Sequence, residues 1–274
     1  CMSMKRELLI GIIEEYIKSK EPIGSEFLKS KQNLSISSAT IRNYFKVLEK
    51  EGALFQPHIS SGRIPTNATL YAYWKDVLQY VCQSDVVITA AKLQSLSSHY
   101  GIYCIVIPKN DNRLESVINT HGYLILQFSR GETLIQYSEA LSRFLESFML
   151  ADIHDILKVA NEVGAGELKR KLMALLQVDS EEHCFQCGSE YISTIAQSNA
   201  AQYLNAIQGR TLLSCGNGIY FEGIVSNGHL AIIHDVLYMN AKTQSTYQAR
   251  MMCIGDLLCD YKSFYAELGF SNFA

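Results

Sequence analysis

The sequence predicts an α+β protein, with a small head of three short helices and a β-hairpin followed by a mainly antiparallel sheet that a helical block interrupts. Three observations carry this expectation. Apolar residues recur at helical spacing over 9–17 and 41–48, and an extended stretch containing Pro57 and Pro65 follows. Strand-length apolar runs separated by turn residues stand at 101–107, 123–137 and 218–239. Between the second and third of these runs, residues 139–208 return to helical periodicity.

In the head, Leu9, Ile12, Ile13, Tyr16 and Ile17 make the first helix amphipathic. Glu21-Pro22-Ile23-Gly24 breaks it, and Ser25 is placed to cap a short second helix carrying Phe27 and Leu28. A third helix starts at Ser37 or Ser38, whose hydroxyl can accept an orphan amide hydrogen bond, and Gly52 closes its end. Ile41, Phe45 and Leu48, with Tyr44 beside them, face a core, and the opposite stripe holds Arg42, Asn43, Lys46 and Lys50. Arg and Lys can donate to guanine or phosphate and Asn can pair bidentately with adenine, so this stripe suits a duplex groove. A solvated helix face has the same composition, and the next residues decide between the two. Leu54-Phe55-Gln56-Pro57, the turn Ser60-Ser61-Gly62-Arg63 and Ile64-Pro65 read as an edge ribbon.

A ribbon after three short helices is the winged helix-turn-helix arrangement, a DNA-binding module rather than a catalytic one. In this reading Arg42, Asn43 and Lys46 stand at base edges or phosphates, and Lys50 contacts phosphate. Ser37, Ser38 and Thr40 sit at the helix start, where hydroxyls and the helix dipole favour phosphate. His58 and Arg63 are expected near the wing tip, beside Ser60, Ser61 and Gly62, which are small enough to let backbone approach a phosphate.

Charge distribution agrees with a DNA-touching end. The formal net charge is −3, but residues 1–83 hold eleven Lys/Arg against eight Asp/Glu, and the remainder holds thirteen against nineteen. A hydrophobic content of 48% with four prolines predicts real cores over 274 residues, enough for two domains or two plus an insertion. No apolar run approaches the roughly 18 residues that span a bilayer, and Lys5-Arg6-Glu7-Leu8-Leu9 is unlike a signal peptide. Cys82, Cys104, Cys184, Cys187, Cys215, Cys253 and Cys259 are scattered in mostly apolar surroundings, which fits reduced thiols in a cytoplasmic protein.

Glu21-Pro22-Ile23-Gly24-Ser25, Ser37-Ser38-Ala39-Thr40-Ile41-Arg42-Asn43, Gln56-Pro57-His58 and Ser60-Ser61-Gly62-Arg63-Ile64-Pro65 resemble, in order and spacing, the N-terminal signature of the HrcA family of heat-inducible transcription repressors. The resemblance covers residues 5–76 by motif and the remainder by architecture. It implies a bacterial repressor of chaperone operons that binds an inverted-repeat operator, CIRCE, as a homodimer. It also implies that chaperonin keeps the repressor active and that heat inactivates it, and it implies a GAF-like domain carrying an inserted dimerising region.

The domain expectations are then 1–78 for the winged helix-turn-helix, 79–100 for a linker helix, 101–138 with 211–274 for a discontinuous GAF-like domain, and 139–210 for a helical dimerisation insertion. Gly101 to Ile107 suits a central buried strand. Tyr123–Phe128 and Thr133–Tyr137 flank a turn, and Asn227-Gly228 favours a tight primed turn between 218–225 and 229–239. In the helical block, Leu141, Phe144, Leu145 and Phe148, then Ile153, Ile156, Leu157 and Ala160, and later Leu168, Leu172, Leu175 and Leu176, mark faces. From Thr243 to Leu268 the apolar residues follow 4-3 spacing, as in a coiled-coil helix or a long helix on the sheet, and Gly255 and Gly269 favour the sheet.

His183, Cys184 and Cys187 offer three soft ligands where structural zinc needs four, and they follow the acidic run 179–182, so an ordinary loop pair is expected and no metal or cofactor. His121, His229, His234 and Asp235 are not spaced as a nucleophile-base pair or a phosphate loop, so no enzyme is expected. The alternative is a winged-helix transcription factor whose GAF-like body senses a small ligand.

Overall fold

The computed structural model describes residues 3–81, 86–181 and 184–271. Cys82 and His183 lie outside the described residues. Helix α1 (Met4–Ser19) is capped by Ser3, which accepts from the Arg6 amide. Helix α2 (Ser25–Lys31) begins at Ser25 itself, with Gly24 at the cap position and no side-chain cap, which corrects the expectation that Ser25 caps it. Helix α3 (Ser38–Lys50) runs to Glu51, and strands β1 (Leu54–Phe55) and β2 (Ile64–Pro65) form a two-stranded antiparallel ribbon. Leu8, Ile12, Ile23, Leu28, Ile41, Phe45, Leu48 and Leu54 close a small core of their own.

Helix α4 (Asn67–Leu78) leaves this unit with Leu70, Trp74 and Leu78 buried, and they enter the main core together with Ile13 and Ile17 of α1. The stretch expected as a linker helix holds strand β3 (Val87–Thr89) and helix α5 (Ala90–Tyr100), both built onto the sheet. Strand β4 (Tyr103–Pro108) is central, as its unbroken apolar run suggests.

The chain then makes a separate three-stranded sheet from β5 (Leu114–Thr120), β6 (Tyr123–Phe128) and β7 (Gly131–Gln136). The foreseen hairpin is therefore not part of the central sheet. Its inner face packs with helices α6 (Glu139–Glu146), α7 (Ile153–Glu162) and α8 (Gly166–Glu181). Strand β8 (Phe185–Cys187), a 3-10 turn at Ser189–Ile192 and helices α9 (Ser193–Ser198), α10 (Ala200–Ile207) and α11 (Arg210–Ser214) lead to β9 (Gly218–Tyr220).

Strands β10 (His229–Met239) and β11 (Thr246–Asp256) and helix α12 (Tyr261–Leu268) complete the fold. The central sheet runs β3-β10-β11-β4-β8, with β9 also on β10, and only β3 is parallel to its neighbour. Alternation divides its side chains: Cys104, Val106, Ile232, Met251 and Cys253 face α4, α5 and α12, whereas Tyr103, Ile105, Ile233, Met252 and Ile254 face the inserted helices.

Two expectations fail here for physical reasons. The stretch Thr243 to Leu268 is a strand and a short helix, not one helix. Strand β11 is covered on both faces, so it lacks polar alternation and its apolar residues imitate a heptad. Gly255 stands one residue before the end of this strand at a close approach, where a Cβ would stand 2.6 Å from the Tyr261 hydroxyl, and Asp260 caps α12 through the Ser263 amide. Asn227-Gly228 is likewise no two-residue hairpin, since β9 meets β10 at Tyr220↔Ala231. Instead it docks α4: the Tyr71 hydroxyl donates to Asn227 Oδ1 (3.0 Å) and accepts from the Gly228 amide (2.9 Å).

The Cys184/Cys187 pair is also not a plain loop. Cys187 is buried on β8 beside Cys104, and Cys104 in turn faces Cys253 with unbonded sulfurs 3.7 Å apart. His234 is fully buried, its Nε2 3.0 Å from the Tyr265 hydroxyl and its Nδ1 3.1 Å from the Asp235 carbonyl, a packed structural histidine.

Candidate nucleic-acid interface

Helix α3 owes its start to Ser37, whose Oγ accepts from the Thr40 amide at 3.1 Å and lies 2.9 Å from the Thr40 hydroxyl. A cap of this kind contributes about 1 kcal/mol. It also engages the Ser37 and Thr40 hydroxyls with each other, while Ser38 is half-buried as the first helical residue. Gly52 follows the helix with φ of 74°, a left-handed turn that favours glycine.

Ile41, Phe45 and Leu48 are buried, so the helix cannot rotate, and Arg42, Asn43, Lys46 and Lys50 are fixed on the exposed side. The ion pairs around the head join Lys5 to Glu51, Arg6 to Asp76, Lys18 to Glu15 and Arg63 to Glu49. Arg42, Lys46 and Lys50 have no acidic partner among the described residues. Their charge is therefore open to an external anion.

The ribbon departs from expectation at two positions. The register Phe55↔Ile64 places Arg63 on the stem, not at the tip. Its backbone exchanges two 2.9 Å hydrogen bonds with Ile23, and its guanidinium lies 3.1 Å from Glu49 and 6.0 Å from the centre of the Phe45 ring. The approach to Glu49 is an ion pair without hydrogen-bond alignment, since Arg63 Nε is buried and makes no hydrogen bond. Arg63 thus ties the ribbon to α3 and to the turn between α1 and α2.

Gly62 serves the same junction. A Cβ there would fall 2.4 Å from the Ile23 carbonyl carbon and 2.8 Å from the Gly24 nitrogen. The small residue is needed for the ribbon to lie against the head, which spacing alone cannot reveal.

The tip itself is a four-residue turn from His58 to Ser61, closed by the Ser61 amide on the His58 carbonyl at 2.9 Å. Ser61 Oγ accepts from the His58 amide (3.0 Å) and donates to the His58 carbonyl (2.8 Å). Gln56 Nε2 donates to the carbonyls of Ile59 (2.8 Å) and Ser61 (2.9 Å). His58 and Ser60 are exposed, and Ile59 between them is fully so. The structure thus brings Arg42, Asn43, Lys46 and Lys50 onto one face and His58 and Ser60 to the tip. It turns Ser37, Ser61, Gly62 and Arg63 largely to internal tasks. Gln56 and Ile59 escaped the sequence reading as functional candidates: Gln56 reads there only as part of the extended run, and Ile59 is apolar, so only the turn's hydrogen bonds and the exposure of Ile59 mark them.

The described residues contain no group of three His, Cys, Asp or Glu side chains placed to hold a metal ion, and no helix among them is long and apolar enough to cross a membrane. Comparison with known proteins places the chain. The model of the HrcA C-terminal domain matches residues 74–272, most of the chain.

The chain belongs to the HrcA family. A heat-inducible transcription repressor HrcA of Helicobacter pylori strain J99 is 28% identical over 268 residues, spanning 97% of this chain and 95% of that protein. The repressor of the same name from Pseudarthrobacter chlorophenolicus is 30% identical over 207 residues, 74% of this chain and 57% of that protein. Among solved structures, a crystal structure of a hypothetical protein superposes with a TM-score of 0.50 at 21% identity, over 97% of this chain and 94% of that one, a likeness of fold. The HrcA C-terminal model begins at Trp74, within α4, so residues 1–73 lie before it, whereas the alignment to the H. pylori HrcA takes in nearly the whole chain.

Proposed function

We propose that this chain is a cytoplasmic heat-shock transcription repressor whose head is a winged helix-turn-helix that reads duplex DNA. The observation that carries the reading is the fixed stripe of Arg42, Asn43, Lys46 and Lys50 on α3, without an acidic partner among the described residues, beside a hydrogen-bonded ribbon, in a member of a family whose relatives are named as heat-inducible repressors. Helix α3 enters a major groove with Arg42, Asn43 and Lys46 toward base edges and Lys50 toward phosphate. The N-terminal turn of α3, at Ser37 and Ser38, presents its open amide groups to a phosphate, with the Thr40 amide held by the Ser37 cap. The wing, through His58 and Ser60, contacts the neighbouring backbone, and Arg63, Gly62 and Ser61 hold it in place.

A homodimer would set two such heads on the half-sites of a CIRCE-type inverted repeat, and repression follows from occluding polymerase. Residues 1–78 make the reading head, 101–138 with 211–274 the GAF-like body, and 139–210 a dimerising insertion. The β5–β7 sheet falls inside the first body segment by number, but it is separate from the central sheet and its inner face packs on α7 and α8, so it is moved from the body to the insertion. Regulation by heat and chaperonin would act on the folded fraction of the dimer. A gel shift on an inverted-repeat operator and on a scrambled duplex, with the bound species sized by sedimentation, tests this. Two chains on the operator and markedly weaker binding to the scramble are expected. Equal binding to both duplexes, or one chain per operator, refutes the reading.

A further inference from the structure

We propose that Ile59 is an apolar DNA contact, carried by the wing tip into the minor groove beside the major groove faced by α3, where it packs on deoxyribose and base edges. The inference rests on the DNA-binding reading of the head. Ile59 is 100% exposed, whereas the next most exposed large apolar side chains among the described residues, Leu150 and Val178, are at 67%. Water is a poor solvent for a branched aliphatic side chain, and nothing in the fold repays this exposure.

Its position is as unusual as its exposure. Ile59 is the second residue of the His58–Ser61 turn, a place where proline and small polar residues are favoured over branched apolar ones. The turn is also not free to fold inward. Gln56 spends its side-chain amide on the carbonyls of Ile59 and Ser61, and Ser61 Oγ bonds the His58 backbone on both sides. The head therefore holds an isoleucine outward on a fixed backbone, and a preorganised contact loses little freedom on binding.

The chemistry of the surroundings selects the partner. The ribbon follows directly from α3, whose Arg42, Lys46 and Lys50 carry charge without an acidic partner among the described residues. A duplex offers phosphates to those cations and, in the minor groove, sugar and base faces to an apolar tip; isoleucine is among the side chains that serve as wedges there. A protein partner offers no comparable match to both features.

The test uses the full chain as wild type, Ile59→Ala and Ile59→Leu, with operator binding measured over a salt series and hydroxyl-radical cleavage marking the minor-groove sugars. Ile59→Ala is expected to weaken binding about tenfold, as withdrawal of a buried aliphatic group predicts. The slope against salt should not change, because no charge is lost. Sugar protection should disappear at the wing position alone, and Ile59→Leu should stay within about twofold of wild type. If wild type selects the operator but Ile59→Ala binds and protects as well, the apolar contact is refuted and DNA reading stands. If wild type does not select the operator, the reading beneath the inference fails with it. A shift of Ile59→Ala from dimer to monomer with its sugar protection intact would assign Ile59 to a contact between copies and overturn the proposal.

Discussion

Arg42 and Lys50 stand on the same exposed face of α3, about two turns apart, yet their roles separate experimentally. If Arg42 makes the proposed base contact, Arg42→Ala should cost about 1–3 kcal/mol on the operator and less on a scrambled duplex. If Lys50 makes the proposed phosphate contact, Lys50→Ala should weaken both duplexes alike and lower the salt slope by about one. The reverse pattern in quantitative binding assays would exchange the two assignments. Gly62→Ala places a Cβ 2.4 Å from backbone, so the ribbon must shift; a loss of about 1–3 kcal/mol in urea unfolding and weaker operator binding are expected. Unchanged stability would show that the ribbon yields freely. The exposed stripe was legible because burial of Ile41, Phe45 and Leu48 follows helical period. Arg63 was not, since its partners Ile23 and Glu49 lie 40 and 14 positions away and only the ribbon register turns it toward them.

At the scale of elements, capping decides more than propensity. Asp152 caps α7 and accepts from the amides of Asn112 (3.0 Å) and His154 (2.9 Å) and faces His154 Nδ1 at 2.7 Å. Burial pushes its carboxyl up, but these hydrogen bonds outweigh burial and hold it at about 2. A depressed folded value means stability that is full above the unfolded value near 4 and lost as pH falls toward 2. Asp152→Asn should therefore be less stable than wild type by about 2 kcal/mol at neutral pH, and the gap should close as pH falls from about 5 toward 2. A gap that stays constant in urea titrations across that range would remove the carboxylate's part.

Elements whose one face meets water, such as α3 and α7, were legible as amphipathic periods. Strand β11 was not: packed between β10 and β4 and covered on both faces, it carries no alternation to read. Strand β5 was missed for the opposite reason, since Leu114 alone of its residues is buried and polar side chains break its apolar pattern.

Over the whole molecule, head and body are one packed object at their junction. Trp74 donates to the Leu257 carbonyl at 2.8 Å and meets Tyr261 edge-on at 5.0 Å, Lys262 pairs with Glu14 at 3.3 Å, and Lys20 reaches the Leu258 carbonyl. Since Trp74 is the single tryptophan, its fluorescence reports this junction directly. Its urea transition should coincide with that of far-UV circular dichroism, and an earlier fluorescence change would mean that the head undocks first. The two-part layout was visible in the order of helical and strand-like runs. The docking was not, because it joins residues as distant as Tyr71 and Asn227 through hydrogen bonds that leave no periodic trace. The central claim is that the basic face of α3 reads the operator. The most direct measurement is the dissociation constant of Arg42→Ala/Lys46→Ala and wild type on the inverted repeat and on its scramble, with circular dichroism to verify the fold. The account predicts a folded double variant that no longer distinguishes the two duplexes; a folded variant that still selects the operator as wild type does would contradict it.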